Sequence, residues 1–519
     1  MLAVLISQVP VGVEGIPIRV EVDLRTGLPG VDIVGLPDSA VKEARERVRV
    51  AIRNSGFRFP PDRILVNLSP AGIRKEGASY DLPIALGILA ASEQVSLAGA
   101  PPVMVLGELN LAGEVLPVQG VLSAVGTGLE HGVELFLVPG QNLPEARALR
   151  RGRVLGIGSL AEAARLVGSL GAAKPDCPGP SPAPGSPQAA PPAPPDRGDF
   201  ADIRGHAVLK RALTIAAAGR HHLLLFGPPG SGKTMAARRL PSILPALSWE
   251  EALAVTRIHS VAGVLPHDCG LIRWPPLRMP HHTASSEGVI GGGKIPRPGE
   301  VSLAHEGVLL LDEAAEFRAT LLQSLREPLE EGSVTIARAG STVQYPASFQ
   351  LVLTANPCPC GNLGRAQAVC SCSPAEVRSY WRKLGGALLD RVDIRVPLKP
   401  VPAADMEAGA GESSAELAAR VGRAVEMQRR RYAGFPFSRN GRLPPGLVER
   451  YCSPGPQNAA LLAQAMGQLD LSSRAYHAIL KVARTIADLE ESGAIGRDHL
   501  LEAIQHRRYG DADIYWSYS

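Results

Sequence analysis

Long apolar runs are missing from this chain of 519 residues. None reaches the roughly 18–20 residues that a membrane-crossing helix needs. The purest, such as Leu223 to Phe226, are the length of a strand. Met1 to Pro10 has no basic residue ahead of its apolar stretch and no small-residue cleavage pattern, so it does not read as a secretory leader. Cysteine is scarce: seven residues, four of them between Cys358 and Cys372. That count excludes a disulfide-stapled scaffold, points to a reducing, cytoplasmic setting and leaves a local metal question, while the lack of a spanning run predicts no membrane partner. Charge of one sign is also lacking. The net charge is +4, mildly basic, and by itself says little about a nucleic-acid partner. Lysine is sparse: arginine outnumbers it about five to one, a compositional habit, so position rather than count must locate a basic site. What remains, 45% hydrophobic and 20% charged residues, is ordinary globular protein and excludes wholesale disorder, collagen and coiled coil. At roughly 150 residues per domain, the length predicts about three domains.

One boundary is plain. Residues 171–198 hold ten prolines and almost nothing apolar beyond alanine, too little to offset ordering entropy, and predict an extended linker over 169–198. The block 1–168 before it mixes strands (Ile18 to Leu24, Arg63 to Leu68, Val103 to Leu106, a pair around Gly113, Leu135 to Val138) with helices. Val41, Ala44, Val48, Ala51 and Ile52 recur at helical spacing after a cap at Asp38 or Ser39, and Asp81 to Ser92 reads as a buried helix. The block 199–400 alternates short apolar strands (His222 to Phe226, Val308 to Leu311, Phe349 to Thr354) with helices, the pattern of a parallel α/β sheet. A hairpin pairs Ser333 to Ala337 with Thr342 to Tyr345 through a turn at Ala339-Gly340. Residues 401–510 read as helical, over Ser414 to Tyr432, Pro456 to Gln468, Ser473 to Glu491 and Arg497 to His506, and 511–519 as a tail.

The chemistry concentrates in the middle block. Gly227, Pro228, Pro229, Gly230, Ser231, Gly232, Lys233 and Thr234 fit G-x-x-x-x-G-K-[ST] between an apolar strand and a helix. In that context backbone N–H groups and the helix N-terminus cradle phosphates. Lys233 reaches the β- and γ-phosphates of ATP, and the Thr234 hydroxyl ligates Mg²⁺. Val308 to Leu311 then delivers Asp312 to a strand end, where it holds hydrated Mg²⁺, with Glu313 beside it to polarise the attacking water. Asn356 is either an amide that orients that water or a turn residue before Pro357. Arg391 and Arg474 are each either a surface arginine or a group that stabilises the transferring phosphoryl charge.

These segments resemble the magnesium-chelatase-like branch of the AAA+ ATPases, and the whole chain resembles the bacterial YifB/ComM family. The matching stretches are Asp199 to Gly205, the phosphate loop, Arg278 to Thr283, Gly291 to Gly293, Asp312-Glu313, Asn356 to Gly361, Leu388 to Arg391 and Ser472 to Tyr476, in family order. The resemblance implies a P-loop AAA+ core with a helical lid, assembled as a homo-hexameric ring with ATP between subunits. Arg391 then becomes the finger supplied to the neighbour's ATP, Asn356 the first sensor and Arg474 the second. His206 departs from the glutamine usual in the family, which puts the base contacts in doubt but not hydrolysis.

The N-terminal block resembles the α+β Lon-protease-like (ribosomal S5 domain 2-like) fold. Ser79, in Arg74 to Asp81, falls where that family carries its nucleophile, but Leu122 stands where it carries the lysine. No lysine occurs between Lys75 and Lys174. A serine needs an adjacent base, so the block reads as a scaffold without peptidase activity.

Cys358, Cys360, Cys370 and Cys372 form C-x-C-x₉-C-x-C, the right thiolate number for a closed structural Zn²⁺ site; the alternative is a loop of free thiols. Two regions are candidates for nucleic acid. One is the hairpin with Arg338 at its turn, flanked by Lys294 and Arg297, which the resemblance turns toward a central pore. The other is 420–442, with seven arginines (Arg429, Arg430 and Arg431 among them) against Glu426 alone, interleaved with Tyr432, Phe435 and Phe437. A solvated basic helix face followed by a packed loop is the alternative there. The resulting expectation is an ATP-driven motor on single-stranded or branched DNA, resembling the ComM branch-migration helicases of natural transformation. A metal-insertion motor of the chelatase kind, a protein-remodelling ATPase and a slowly hydrolysing nucleotide-gated scaffold are the alternatives. The D-x-S-x-S motif of the chelatase motor's integrin-type partner is absent.

Overall fold

The computed structural model describes residues 2–170, 196–266, 269–338, 341–365, 368–401, 411–469 and 471–507. Most of the predicted linker, the Ala339-Gly340 turn and the 511–519 tail lie outside these. The chain forms two compact units: Met1–Pro192 with Ser248–Arg273, and Ala193–Leu247 with Trp274–Ser519.

The first unit is built on a seven-stranded sheet of β1 (Leu2–Val11), β2 (Glu14–Arg25), β3 (Gly30–Val34), β4 (Arg63–Ser69), β5 (Val103–Val105), β8 (Leu135–Pro139) and β9 (Arg153–Ile157), in the order β3-β4-β2-β1-β5-β8-β9. A separate short hairpin joins β6 (Glu108–Leu109) to β7 (Val115–Leu116), the pair expected around Gly113. β1 and β2 pair antiparallel from Leu2↔Asp23 to Val11↔Glu14. Alternation in β2 turns Ile18, Val20 and Val22 into the core. β1 was not read from sequence; its outward face is partly apolar, with Leu2 and Val4 exposed, which blurs the period-two signal. The helix Ser39–Asn54 forms as expected, with the Asp38 carboxylate accepting the Val41 N–H at 2.8 Å. The helix Asp81–Ala91 is buried along its whole length.

A helix from the middle of the sequence, Trp249–Ala262, belongs to this first unit. It starts with a Ser248/Glu251 capping box and lies against the helix Val121–Glu130, with Leu253 packed on the cluster of Val121, Leu122 and Val125. Ser260 fixes it there. Its Oγ donates to the buried Glu145 carboxylate at 2.7 Å and accepts the Gly120 N–H at 3.1 Å. The sequence reading kept 248–273 inside the 199–400 block; amphipathic spacing gives a helix but not the surface that covers its apolar face.

The second unit has a five-stranded parallel sheet of β10 (Leu223–Phe226), β11 (Leu277–Arg278), β14 (Val308–Leu311), β17 (Gln350–Ala355) and β18 (Ile394–Pro397), in the order β11-β14-β17-β10-β18. Buried on both faces, β10, β14 and β17 read as continuous apolar runs. Two antiparallel pairs complete the strands: β12 (Gly291–Gly292) with β13 (Arg297–Pro298), and β15 (Ser333–Arg338) with β16 (Ser341–Pro346). The helices Ser414–Arg431, Pro456–Gln468, Ser473–Leu489 and Arg497–Arg507 match the expected ones. With Pro445–Tyr451, which was not anticipated, they share one apolar core with the sheet and the helix Ala207–Gly219. The predicted lid is therefore part of this unit. No helix among the described residues is long and apolar enough to cross a membrane.

Candidate nucleotide site

β10 ends at Phe226 and the helix Lys233–Arg239 begins six residues after Gly227, so the loop between them must double back tightly. Gly230 and Gly232 both take φ of 81°, a conformation that only glycine adopts without strain. Gly227 leaves no room for a side chain, since a Cβ would sit 2.4 Å from the Leu398 carbonyl oxygen. Inside the loop, Lys233 Nζ donates to the carbonyls of Gly227 at 2.7 Å and Pro228 at 3.0 Å, and to Asn356 Oδ1 at 3.2 Å. Burial pushes the Lys233 ammonium down to about 8, against the pull of Asp312 and Glu313. Ser231 Oγ is buried with no protein partner. A buried hydroxyl without a partner in a tight glycine loop that opens a helix, beside a lysine, fits a polyphosphate.

β14 and β17 supply the other half. Asp312 Oδ1 accepts from Thr234 Oγ1 at 2.8 Å and from Thr354 Oγ1 at 2.6 Å. Thr354 Oγ1 in turn accepts the Glu313 N–H at 2.9 Å. Asp312 and Thr234, predicted as the Mg²⁺ pair, are thus one hydrogen bond apart. Glu313 takes a left-handed φ of 51° and is exposed, next to the acid that would hold the metal. Thr354 was not anticipated; the signal is a hydroxyl in the otherwise apolar run Leu351 to Ala355. His206, also left-handed at φ 53°, lies beside Gly232 of the loop.

Arg391 and Arg474 gather around Glu330. Arg391 Nη2 donates to Glu330 Oε1, and Arg474 reaches the same oxygen at 3.4 Å. Glu330 was not singled out from sequence, and in a stretch of charged helix nothing marks it.

The four cysteines follow Asn356 directly. Their sulfurs all lie within 4.8 Å of one another, with Cys358 3.4 Å from Cys360 and 3.7 Å from Cys370. The Asn362 backbone N–H holds the Cys360 thiol down, to about 6. Four converging sulfurs with one already disposed to ionise fit a tetrahedral thiolate metal site. Gly361, at the turn, abuts the phosphate loop: a Cβ there would sit 2.8 Å from Pro229 Cγ.

The basic candidates separate. Arg338 is exposed and paired with Glu287 at 2.7 Å, and the Tyr345 hydroxyl donates to the Pro296 carbonyl, so the hairpin and the loop carrying Lys294 and Arg297 form one surface. In 420–442, Arg431 is bound to the fully buried Asp488, Arg430 pairs with Glu426, Arg423 with Glu491 and Arg420 with Glu412, while Tyr432, Phe435 and Phe437 stack together. Of the arginine triplet, Arg431 is committed to the core. The packed-loop reading describes this segment better than a continuous phosphate-binding stripe.

Three stretches match family models of the magnesium chelatase: "Magnesium chelatase, subunit ChlI" over residues 199–406, "Subunit ChlI of Mg-chelatase" over 20–142, and "Magnesium chelatase, subunit ChlI C-terminal" over 411–507. The chain is 39% identical to the competence protein ComM of Haemophilus influenzae over 515 residues, covering 98% of this chain and 97% of that protein. It is 40% identical to the uncharacterized protein YifB of Escherichia coli, with the same coverage. The magnesium-chelatase 38 kDa subunit of Rhodobacter capsulatus is 27% identical over 176 residues, 30% of this chain and 50% of that one.

Proposed function

The chain belongs to the magnesium-chelatase-like YifB/ComM family, and from that premise we propose that it is an ATP-driven motor acting on single-stranded or branched DNA, a ComM-like branch-migration helicase working as a hexameric ring. The observation that carries the reading is the joint presence of a nucleotide site at the edge of the parallel sheet and a separate antiparallel hairpin that feeds directly into one strand of that sheet. β17 follows that hairpin and ends at Ala355, so the next residue is Asn356, which touches Lys233.

Mg²⁺ and ATP, when bound, supply the phosphoryl group and neutralise part of its charge. Lys233 would exchange its bonds to the Gly227 and Pro228 carbonyls for phosphate oxygens, and Thr234 and Asp312 would hold the ion. Glu313 takes the proton side of the attacking water, oriented by Asn356. Arg391 and Arg474 act on the ATP of the adjacent subunit. The hairpin β15–β16 and the Lys294 loop form the DNA-facing surface, and the four cysteines would hold a structural Zn²⁺. The first unit is a Lon-like scaffold. On this reading Ser79 lacks its activating partner: Leu122, at the family's lysine position, is buried, and Lys75, the lysine nearest to Ser79 in sequence, is buried and donates to the Pro70 carbonyl.

The test is the steady-state ATPase rate alone and with single-stranded, duplex and four-way-junction DNA, at two salt concentrations. Stimulation that weakens with salt supports the motor, because phosphate contacts release counterions. A rate indifferent to every DNA refutes the DNA reading and moves the weight to a protein-directed motor.

A further inference from the structure

Around Glu330 the charges do not balance. Its single carboxylate faces Arg391 and Arg474, and the field of Arg326 reaches the same place. The neighbouring acid, Asp390, is committed elsewhere: it accepts from the Ser472 hydroxyl at 3.0 Å and from Arg507 at 2.9 Å. Those bonds fasten the start of the helix Ser473–Leu489, where Arg474 sits, to the turn that carries Arg391. The two arginines are thereby held as a pair. Arg391 is 8% exposed along its side chain and its Nε is buried without a partner, whereas Glu330 is 43% exposed. The cationic pair, in which Arg391 also donates to the Ala387 carbonyl, is met by one half-exposed carboxylate.

Glu330 is also placed to transmit its departure. It is the penultimate residue of the short helix Arg326–Glu331; Gly332 then turns in the left-handed region and β15 begins at Ser333. The Ala347 N–H, just past β16, donates back to Gly332 at 2.7 Å, so the root of the hairpin is closed directly beside Glu330.

We propose that Glu330 is a positioning residue that stands in for the terminal phosphate of a nucleotide bound to a second copy of this chain, and that its displacement by that phosphate passes the nucleotide state to the hairpin β15–β16. A phosphate carries more charge than a carboxylate and engages arginine forks in the same geometry, so it replaces Glu330 on both guanidiniums. The freed carboxylate then releases the hairpin root. The inference rests on the inter-subunit reading above and adds to it the group that competes for the arginines.

The experiment uses the full-length chain with Glu330→Gln, which keeps shape and removes charge, and separately Arg391→Ala. Turnover is measured against ATP concentration with and without single-stranded DNA, together with thermal melting. Removing the competing anion lowers the ATP concentration for half-maximal turnover about two- to fivefold, the range an exposed charge pair of this kind carries, and cuts the DNA stimulation at least by half. A purely structural glutamate gives a lower melting temperature and no such leftward shift. An unchanged or raised half-maximal ATP concentration in Glu330→Gln overturns the proposal. If Arg391→Ala has then lost turnover, the inter-subunit motor survives without it; if Arg391→Ala turns over like the parent, both fall.

Discussion

Lys233 and Asn356 stand 123 positions apart in sequence, and the ammonium of the first donates to the side-chain oxygen of the second at 3.2 Å. The contact follows from sheet order: β10 and β17 are parallel neighbours, so the residues leaving their C-terminal ends must meet. Ligands of open parallel sheets bind at that edge. Lys233→Ala removes the charge that meets the phosphates and is expected to abolish turnover, a loss of at least about 10²–10³-fold. Asn356→Ala is expected to keep nucleotide binding and slow the chemical step. Steady-state turnover and fluorescent-nucleotide titration separate the two.

What the sequence disclosed follows the physics of each signal. Phosphate loop, strand and Asp312-Glu313 were legible because a fully buried parallel strand must be a continuous apolar run and the loop must be glycine-rich. Helix ends were legible where a cap marks them, as at Asp38. Unreadable were groups defined only by what folds against them. Thr354 matters through Asp312, Glu330 through two distant arginines, and the helix Trp249–Ala262 through Ser260 and Glu145 of the first unit. The 420–442 cluster shows the opposite error: a one-dimensional arginine count cannot see that Asp488, 57 positions beyond Arg431, has already claimed it.

That pairing carries its own prediction. Asp488 is fully buried and accepts from Arg431 at 2.8 Å, Arg484 at 3.1 Å and Asn440 at 2.9 Å. Asp488→Ala removes the carboxylate shared by the buried Arg484 and the mostly buried Arg431 and is expected to cost about 3–5 kcal/mol, far more than a surface pair. Denaturant unfolding measures it. A loss under about 1 kcal/mol would show that water or a rearranged side chain replaces the carboxylate.

Acid should act through Glu306. Burial favours its neutral form, but Arg220, His305 and Arg442 outweigh burial and hold it at about 2, against an ordinary value of 4.5. Arg220 also donates to the Ser348 carbonyl, so the pair ties the chain entering β10 to the start of β17. A depressed carboxyl contributes its stability above its unfolded value and loses it as pH falls through the folded one. At 1.36 kcal/mol per unit that is on the order of 3 kcal/mol, lost between about pH 4.5 and 2. Arg220→Met should remove most of this slope in pH-dependent unfolding and leave stability above pH 6 lower but flat.

The cysteine cluster gives a prediction about the nucleotide site as well as about metal. Cys358 is buried immediately after Asn356 and Pro357, and the Trp381 indole donates to the Pro357 carbonyl at 3.1 Å. The segment that carries the Asn356 amide is therefore pinned on one side by the indole and on the other by the sulfurs. With Gly361 against Pro229, any loosening of the cluster reaches the phosphate loop through van der Waals contact. Protein purified without chelators is expected to release one zinc per chain on thiol modification, read with a colorimetric zinc dye. Cys358→Ser or Cys370→Ser should lose that zinc, lower the melting temperature and reduce turnover severalfold, with a smaller effect on nucleotide affinity. Val369→Ala, an exposed position within the same loop, serves as the control and should change none of these. Parent protein that holds no zinc and takes none up from solution would assign the four sulfurs to free thiols, and the Trp381 indole on the Pro357 carbonyl would then be what pins the Asn356 segment.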